Sequence, residues 1–206
     1  MAKLLLIHPK NPQMRLLQEV VQMIERGGVI VYPTDSAYAL GCQLGNKTAI
    51  ERIRLIRRLD ENHNFTLICR DLSEISVYAN VDNRIFRLMK ANTPGPYTYI
   101  LSATHEVPRR LQHPRRKTIG IRVPNNTIVQ ALLTELHHPL MSVTLILPGH
   151  NEPVADVEEV RDQLDNLVDL IIDGGFCGIE PTTMVDFVNG KTLLTRIGKG
   201  DPKPFV

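Results

Sequence analysis

The chain has 206 residues, 43% of them hydrophobic and 22% charged, with a formal net charge of +2. A chain of this length suits one domain, residues 1–206, burying roughly 70% of its unfolded surface in a self-sufficient core. Cys42, Cys69 and Cys177 are far apart with no CxxC or Cys/His ligand spacing, which argues against a zinc site and a disulfide framework. The first apolar run, residues 4–7, is too short for a signal peptide, and no run approaches a membrane span, so a cytoplasmic protein is expected.

Residues 3–7 read as a short strand. Asn11-Pro12 then resembles a helix cap followed by proline in the first turn. Leu16, Leu17, Val20, Val21 and Ile24 continue at helical spacing until Gly27-Gly28. Residues 29–32 form a β-branched buried strand, followed by a polar loop over 33–36. Ile50, Ile53 and Ile56 mark a helix face over 49–58, and 65–69 is an apolar strand. A helix around 85–89 stops before Pro94. Strands are predicted at 97–101, 118–123, 140–147, 167–172, 183–187 and 192–196. Helices are predicted at 128–136 and, short and acidic, at 157–164. This irregular alternation predicts a mixed parallel and antiparallel sheet with helices on its faces rather than a regular Rossmann domain. No Walker A or GxGxxG stretch occurs.

Several polar residues sit where such a sheet binds ligands. Thr34 and Ser36 follow a strand, and their hydroxyls either reach a carboxylate or phosphate or cap the local turn. Gly95, between two prolines, makes a stiff turn, and Thr98 just after it is expected to face a cleft. Arg122 lies in an apolar strand and needs a partner, either an anionic ligand or an internal carboxylate. Thr182, Thr183 and Arg196 fit a phosphate clamp in the same way. The seven histidines suggest no Cys–His or Ser–His hydrolase, and His137-His138 read as a helix end. Two basic clusters stand out. Arg52, Arg54, Arg57 and Arg58 lie on or near one helix, with Arg54 and Arg58 spaced to share a face. Arg109, Arg110, Arg115, Arg116 and Lys117 crowd one loop, whereas acids gather in 152–169. Such patches suit phosphate backbones or remain solvated loop charge.

Five stretches carry a family resemblance. Residues 33–41, PTDSAYALG, resemble the PT(E/D)TxYGLG motif of the YrdC/YciO family. Residues 93–101, TPGPYTYIL, resemble its PGPxTxxL motif, and 120–124, GIRVP, its VxVRxP segment. Residues 181–186, PTTMVD, are similar to STVVD, and Arg196-Ile197-Gly198 to its RxG end. The landmarks run in family order over nearly the whole chain. His8-Pro9, NFTLICRDL (64–72), EVPRRL (106–111) and Lys203-Pro204-Phe205 look like the YciO branch.

The resemblance implies a twisted open mixed sheet with a concave basic surface. Family enzymes make threonylcarbamoyl-AMP from threonine, bicarbonate and ATP for the modification of adenosine 37 in tRNA, and members have been associated with double-stranded RNA or tRNA. It also places Tyr38, Arg57, Ser142 and Thr144 in a ligand site with the residues above. The enzymes' KxR pair falls here on Arg57 and Leu59, and their SxN pair on Thr144 and Ile146. Leu59 holds no anion, and Ile146 neither coordinates Mg²⁺ nor hydrogen-bonds a nucleotide, so no metal ligand is expected. Arg58 is the neighbour able to take over one role. Losing one donor aimed at developing charge typically costs ~10²–10³ in rate. The expectation is an RNA-binding protein (duplex or tRNA) with a pocket for ATP, AMP or threonine and little or no synthase activity. An active synthase is the alternative.

Overall fold

The computed structural model describes residues 1–60 and 63–206. Among them, eleven strands make one sheet in the order β1-β9-β2-β3-β8-β4-β7-β6-β10-β11, with β5 paired to β6. The strands are β1 (Lys3–Leu6), β2 (Ile30–Tyr32), β3 (Ala39–Gln43), β4 (Thr66–Ile68), β5 (Ala79–Asn80) and β6 (Tyr97–Ala103), then β7 (Thr118–Arg122), β8 (Leu140–Thr144), β9 (Leu170–Asp173), β10 (Thr183–Asp186) and β11 (Leu193–Arg196). The sheet is mixed: β1–β9, β2–β9, β4–β7 and β6–β10 run parallel, and the other neighbours antiparallel.

Two apolar cores lie on opposite faces of this sheet, and strand alternation decides which residue joins which. In β2, Val31 faces one core while Ile30 and Tyr32 face the other. The first core is covered by α2 (Lys47–Arg57), α3 (Leu72–Tyr78) and α4 (Asn83–Asn92). The second is covered by α1 (Met14–Glu25) and α5 (Thr127–Leu136), whose stripes of Leu17, Val20 and Ile24, and of Ile128, Leu132 and Leu136, are buried. At 25 cal/mol per Å², each such large side chain contributes roughly 1.5–3 kcal/mol. A final helical turn, α6 (Arg161–Leu164), precedes β9.

The structure adjusts several expected boundaries. Asn11 does not cap α1. Its N–H and that of Lys10 donate to Nδ1 of His8 at 3.1 and 3.2 Å, a turn that delays the helix to Met14. α2 begins at Lys47, where the Asn46 side chain accepts from the Ala49 N–H at 3.0 Å. It ends as Arg58 turns left-handed, φ 51°, so Arg54 and Arg58 do not share a helix face. The acidic helix over 157–164 is a 3-10 turn at Glu158–Val160 followed by α6, because Val160 (φ −121°) breaks the run. Sequence periodicity missed β3, α3 and the two-residue β5. At Gly41 in β3, a Cβ would stand 2.7 Å from the Tyr32 ring, so β3 packs on β2 only through the missing side chain.

Candidate functional site

Only part of the second face is covered by α1 and α5. Leu140 of β8 and Ile68 of β4 still belong to that second core; beyond them the face opens over the rest of β8 and β4 and over β7, β6, β10 and β11, where the alternation is mostly polar. Phe65, Leu67 and Cys69 point into the first core, while Thr66 and Ile68 line a cleft. Tyr97, Tyr99 and Leu101 point inward and Thr98 outward; Ile119 and Ile121 point inward and Arg122 outward. Ser142 and Thr144 of β8 follow the same rule, as do Thr182 just before β10 and Met184 within it. The cleft has a volume of about 590 Å³. Three guanidiniums, from Arg57, Arg122 and Arg196, line it together with the hydroxyls of Ser36, Thr98, Ser142, Thr144 and Thr182. Asp60 is the one carboxylate in this lining among the described residues.

The wall near β10 and β11 is one connected network. Arg196 Nε donates to the Thr182 carbonyl and Nη2 to its hydroxyl, each at 2.9 Å. The Thr182 and Thr98 hydroxyls are 2.7 Å apart. Gly198 permits this: a Cβ there would collide with the backbone of Pro181 and Thr182, pushing β11 and its arginine away. Desolvation, and then the charge of Arg122, lower the Arg196 pKa. Two cations placed to repel each other favour an anion between them.

Arg122 is almost fully buried and pairs with Asp35, Nη2 to Oδ1 at 2.5 Å. The second Asp35 oxygen accepts from the Asn125 N–H at 2.8 Å. The internal carboxylate foreseen as one option for Arg122 is therefore present. Its Nε is nonetheless buried with no partner among the described residues. On the opposite wall, Arg57 Nη1 donates to the Ile146 carbonyl at 2.8 Å, and its Nε is also unpartnered. Burial lowers the Arg57 pKa. His63 stands nearby with its pKa lowered by burial and then by Arg57. At the cleft floor, the Tyr32 and Ser142 hydroxyls are 2.5 Å apart, and burial pushes Tyr32 up to about 12.

Not every expected ligand residue reaches the cleft. The Thr34 hydroxyl closes a local turn, donating to the Ala37 carbonyl at 2.6 Å and accepting from the Ser36 and Ala37 N–H groups. Tyr38 shares the first-core face with Leu40, and its hydroxyl donates to the Gly175 carbonyl at 2.7 Å. Thr183 faces the same way as Val185, and its hydroxyl donates to the Gly200 carbonyl at 2.6 Å. Arg58 is exposed and absent from the lining, so it does not take over from Leu59, which packs against the first core. Ile146 lines the cleft as an aliphatic wall. Sequence reasoning missed Asp35 as the partner of Arg122, and also His63, Asn64 and Thr66. Only Thr66 carried a signal, as the polar residue alternating with Phe65 and Leu67. Glu61 and Asn62 lie outside the described residues.

The basic clusters are only partly available. Arg52 is paired with Asp169 at 2.7 Å, and Arg116 with Asp186. Arg54 donates to the Asp60 carbonyl at 2.7 Å and sits 5.4 Å from the Phe65 ring centroid. Arg110 donates to the Gly45 carbonyl. Arg109, Arg115 and Lys117 are exposed. No group of three or more His, Cys, Asp or Glu side chains stands close enough to hold a metal ion, and no helix is long and apolar enough to cross a membrane, among the described residues.

Comparison with known proteins adds four findings. The Sua5/YciO/YrdC family model, described as telomere recombination, matches residues 22–198. The chain is 55% identical, over the whole of both chains, to protein YciO of Escherichia coli (strain K12), and it superposes on the crystal structure of E. coli YciO with a TM-score of 0.95 over the whole of both. It is 33% identical over 165 residues to a threonylcarbamoyl-AMP synthase of Vibrio vulnificus (strain YJ016), covering 77% of this chain and 86% of that one. The structure of P. abyssi Sua5 complexed with L-threonine shares the fold at a TM-score of 0.86 and 21% identity, covering 95% of this chain and 57% of that one.

Proposed function

Because the chain belongs to the Sua5/YciO/YrdC family, we propose that it binds a nucleotide in this cleft and RNA across its basic rim, and forms threonylcarbamoyl-adenylate slowly or not at all. The observation that carries the reading is the convergence of Arg57, Arg122 and Arg196 on one hydroxyl-lined cleft. A site of about 590 Å³ is of the size that takes a nucleotide. Arg122 and Arg196 are positioned to hold a phosphate, with Thr182 fixing the Arg196 fork and Thr98 bracing the Thr182 hydroxyl. The Thr144 hydroxyl, with no hydrogen bond among the described residues, serves sugar or carboxylate oxygens, whereas Ser142 donates to the Leu40 carbonyl and Ser36 to the Thr34 hydroxyl, which leaves these two as acceptors.

Adenylate formation needs more than binding. Donors must point at the charge that develops as pyrophosphate leaves. On the β8 wall that position belongs to Ile146, whose side chain offers none. Arg57 turns one of its N–H groups to the Ile146 backbone, which leaves fewer for a phosphate. A cleft of this kind binds the ground state better than it stabilises the transition state.

The test pairs two assays. Filter binding with tRNA and duplex RNA should show salt-sensitive affinity, and pyrophosphate release from ATP should depend only weakly, or not at all, on threonine and bicarbonate. Strong dependence on both at ordinary enzyme concentrations sinks the claim of attenuation. RNA affinity that ignores salt sinks the basic rim.

The second reading, a working synthase, is favoured by one observation. Thr144 and Arg57 keep a hydroxyl and a cation at two of the four family positions, in a chain 33% identical to a threonylcarbamoyl-AMP synthase. The same pyrophosphate assay separates the two readings.

A further inference from the structure

A smaller depression of about 210 Å³ adjoins the cleft, and His63 and Asn64 belong to the walls of both. Arg54, Arg109, Arg110 and Lys117 line this side chamber, and no carboxylate does among the described residues. Its volume falls below the roughly 300–1,000 Å³ that small-molecule pockets occupy, so it is too small for a nucleoside and suits a hydrated phosphate. Phe65 in its wall is 2% exposed and already faces the Arg54 guanidinium, so it cannot stack a base, and the His63 imidazole packs edge-on against it.

The cations here are differently committed. Arg54 and Arg110 are fixed by the Asp60 and Gly45 carbonyls, whereas the side chains of Arg109 and Lys117 have no hydrogen bond or ion pair among the described residues. Lys117 also sits in the left-handed region at φ 53°, where glycine or asparagine would be less strained. A tight turn holds it there: His113 N–H donates to the Thr118 carbonyl at 2.8 Å, and Lys117 N–H to the His113 carbonyl at 2.9 Å. Nδ1 of His113 accepts from the N–H groups of Arg115 and Arg116 at 3.3 and 3.1 Å. A strained, exposed lysine with no side-chain partner among the described residues, at the rim of an anion-sized chamber, points to a ligand rather than to folding.

We infer that cleft and chamber form one two-part site for an unpaired RNA nucleotide: the cleft takes the nucleotide itself, and the chamber takes the adjoining phosphodiester. The inference rests on the nucleotide reading of the cleft and narrows its RNA partner. A base stacked within a duplex does not reach a pocket of this kind, so the site selects single-stranded ends, loops or bulges.

The test is calorimetric titration of AMP and of the 5′-phosphorylated dinucleotide pApA into the wild type and the double variant Arg109→Ala/Lys117→Gly. One charge-assisted contact is worth about tenfold in affinity. The wild type should therefore bind pApA about tenfold tighter than AMP. The variant should lose that advantage while binding AMP within about twofold of the wild type. Thermal melting accompanies the titrations, and glycine at the φ 53° position should leave the variant folded. The single variant Arg109→Ala repeats the comparison with the turn untouched. A wild type that binds pApA no tighter than AMP overturns the two-part site, as does a variant that weakens both ligands equally. A blunt, fully paired RNA competing as well as an unpaired oligonucleotide also overturns it. Failure of AMP to bind the wild type at all overturns instead the nucleotide reading beneath it.

Discussion

Arg57 donates to the main-chain carbonyl of Ile146 at 2.8 Å, so the cation on one wall of the cleft is held by the backbone of the residue whose side chain lines it as bare hydrocarbon. The two positions that the family resemblance sets apart from the enzymes' pattern are thus unequal. Leu59 packs against the first core and is absent from the cleft lining, whereas Ile146 is part of the wall itself. Ile146→Asn should therefore raise threonine- and bicarbonate-dependent pyrophosphate release by about 10²-fold, the usual worth of one aimed donor. Leu59→Arg should lower the melting temperature without raising that rate. Continuous pyrophosphate detection on the two variants checks both.

The Arg122–Asp35 pair predicts a stability cost. Both side chains are under 10% exposed, and Asp35 also holds the Asn125 N–H. Asp35→Ala leaves a buried guanidinium and a backbone donor unpaired, which should destabilise the fold by about 3 kcal/mol. Urea unfolding measures it. Phosphate or AMP should restore part of the loss in Asp35→Ala, because an anion in the cleft replaces the missing charge.

His63 makes binding and stability respond oppositely to acid. Burial and Arg57 hold its folded pKa below the ordinary 6.5. Between those two values the unfolded chain binds more protons, so stability is full above about pH 6.5 and falls as pH drops through the lowered value. A bound phosphodiester reverses the bias, since its charge favours the imidazolium. Affinity for an oligonucleotide lacking terminal phosphates should rise as pH falls from 7.5 to 5.5, and His63→Gln should flatten that profile. Fluorescence anisotropy across the range reads both.

The loop cations should not count equally. Arg116 is committed to Asp186, whose side chain is only 6% exposed, while the exposed Arg115 has no such partner among the described residues. Arg115→Ala should reduce the salt slope of RNA binding by roughly 0.7–0.9. Arg116→Ala should barely change the slope and should instead lower stability. Filter binding between 50 and 200 mM salt distinguishes them.

Much of the fold was legible because short apolar, β-branched runs mark β2 and β4 and helical spacing marks α1 and the face of α2. Strand alternation sorts the candidate site. Thr183 stands two residues from core-facing Val185 and Thr182 does not; Tyr38 stands two residues from core-facing Leu40. What lay beyond the sequence came from long-range closure. Asp35 meets Arg122 across 87 positions, and Arg57 meets Ile146 across 89. Arg52 is diverted to Asp169 across 117. Its charge reads as a binding patch in the sequence and as an internal tie in the fold. His63 and Asn64 lie in an irregular stretch where no periodicity points to a cleft.

The most direct test of the nucleotide reading is titration of AMP at low salt into the wild type and Arg196→Met, which keeps the apolar stem and removes the guanidinium. Binding by the wild type and an affinity at least tenfold weaker in the variant, with melting temperatures close together, is the predicted result. Equal affinities, or no binding by the wild type, would contradict it.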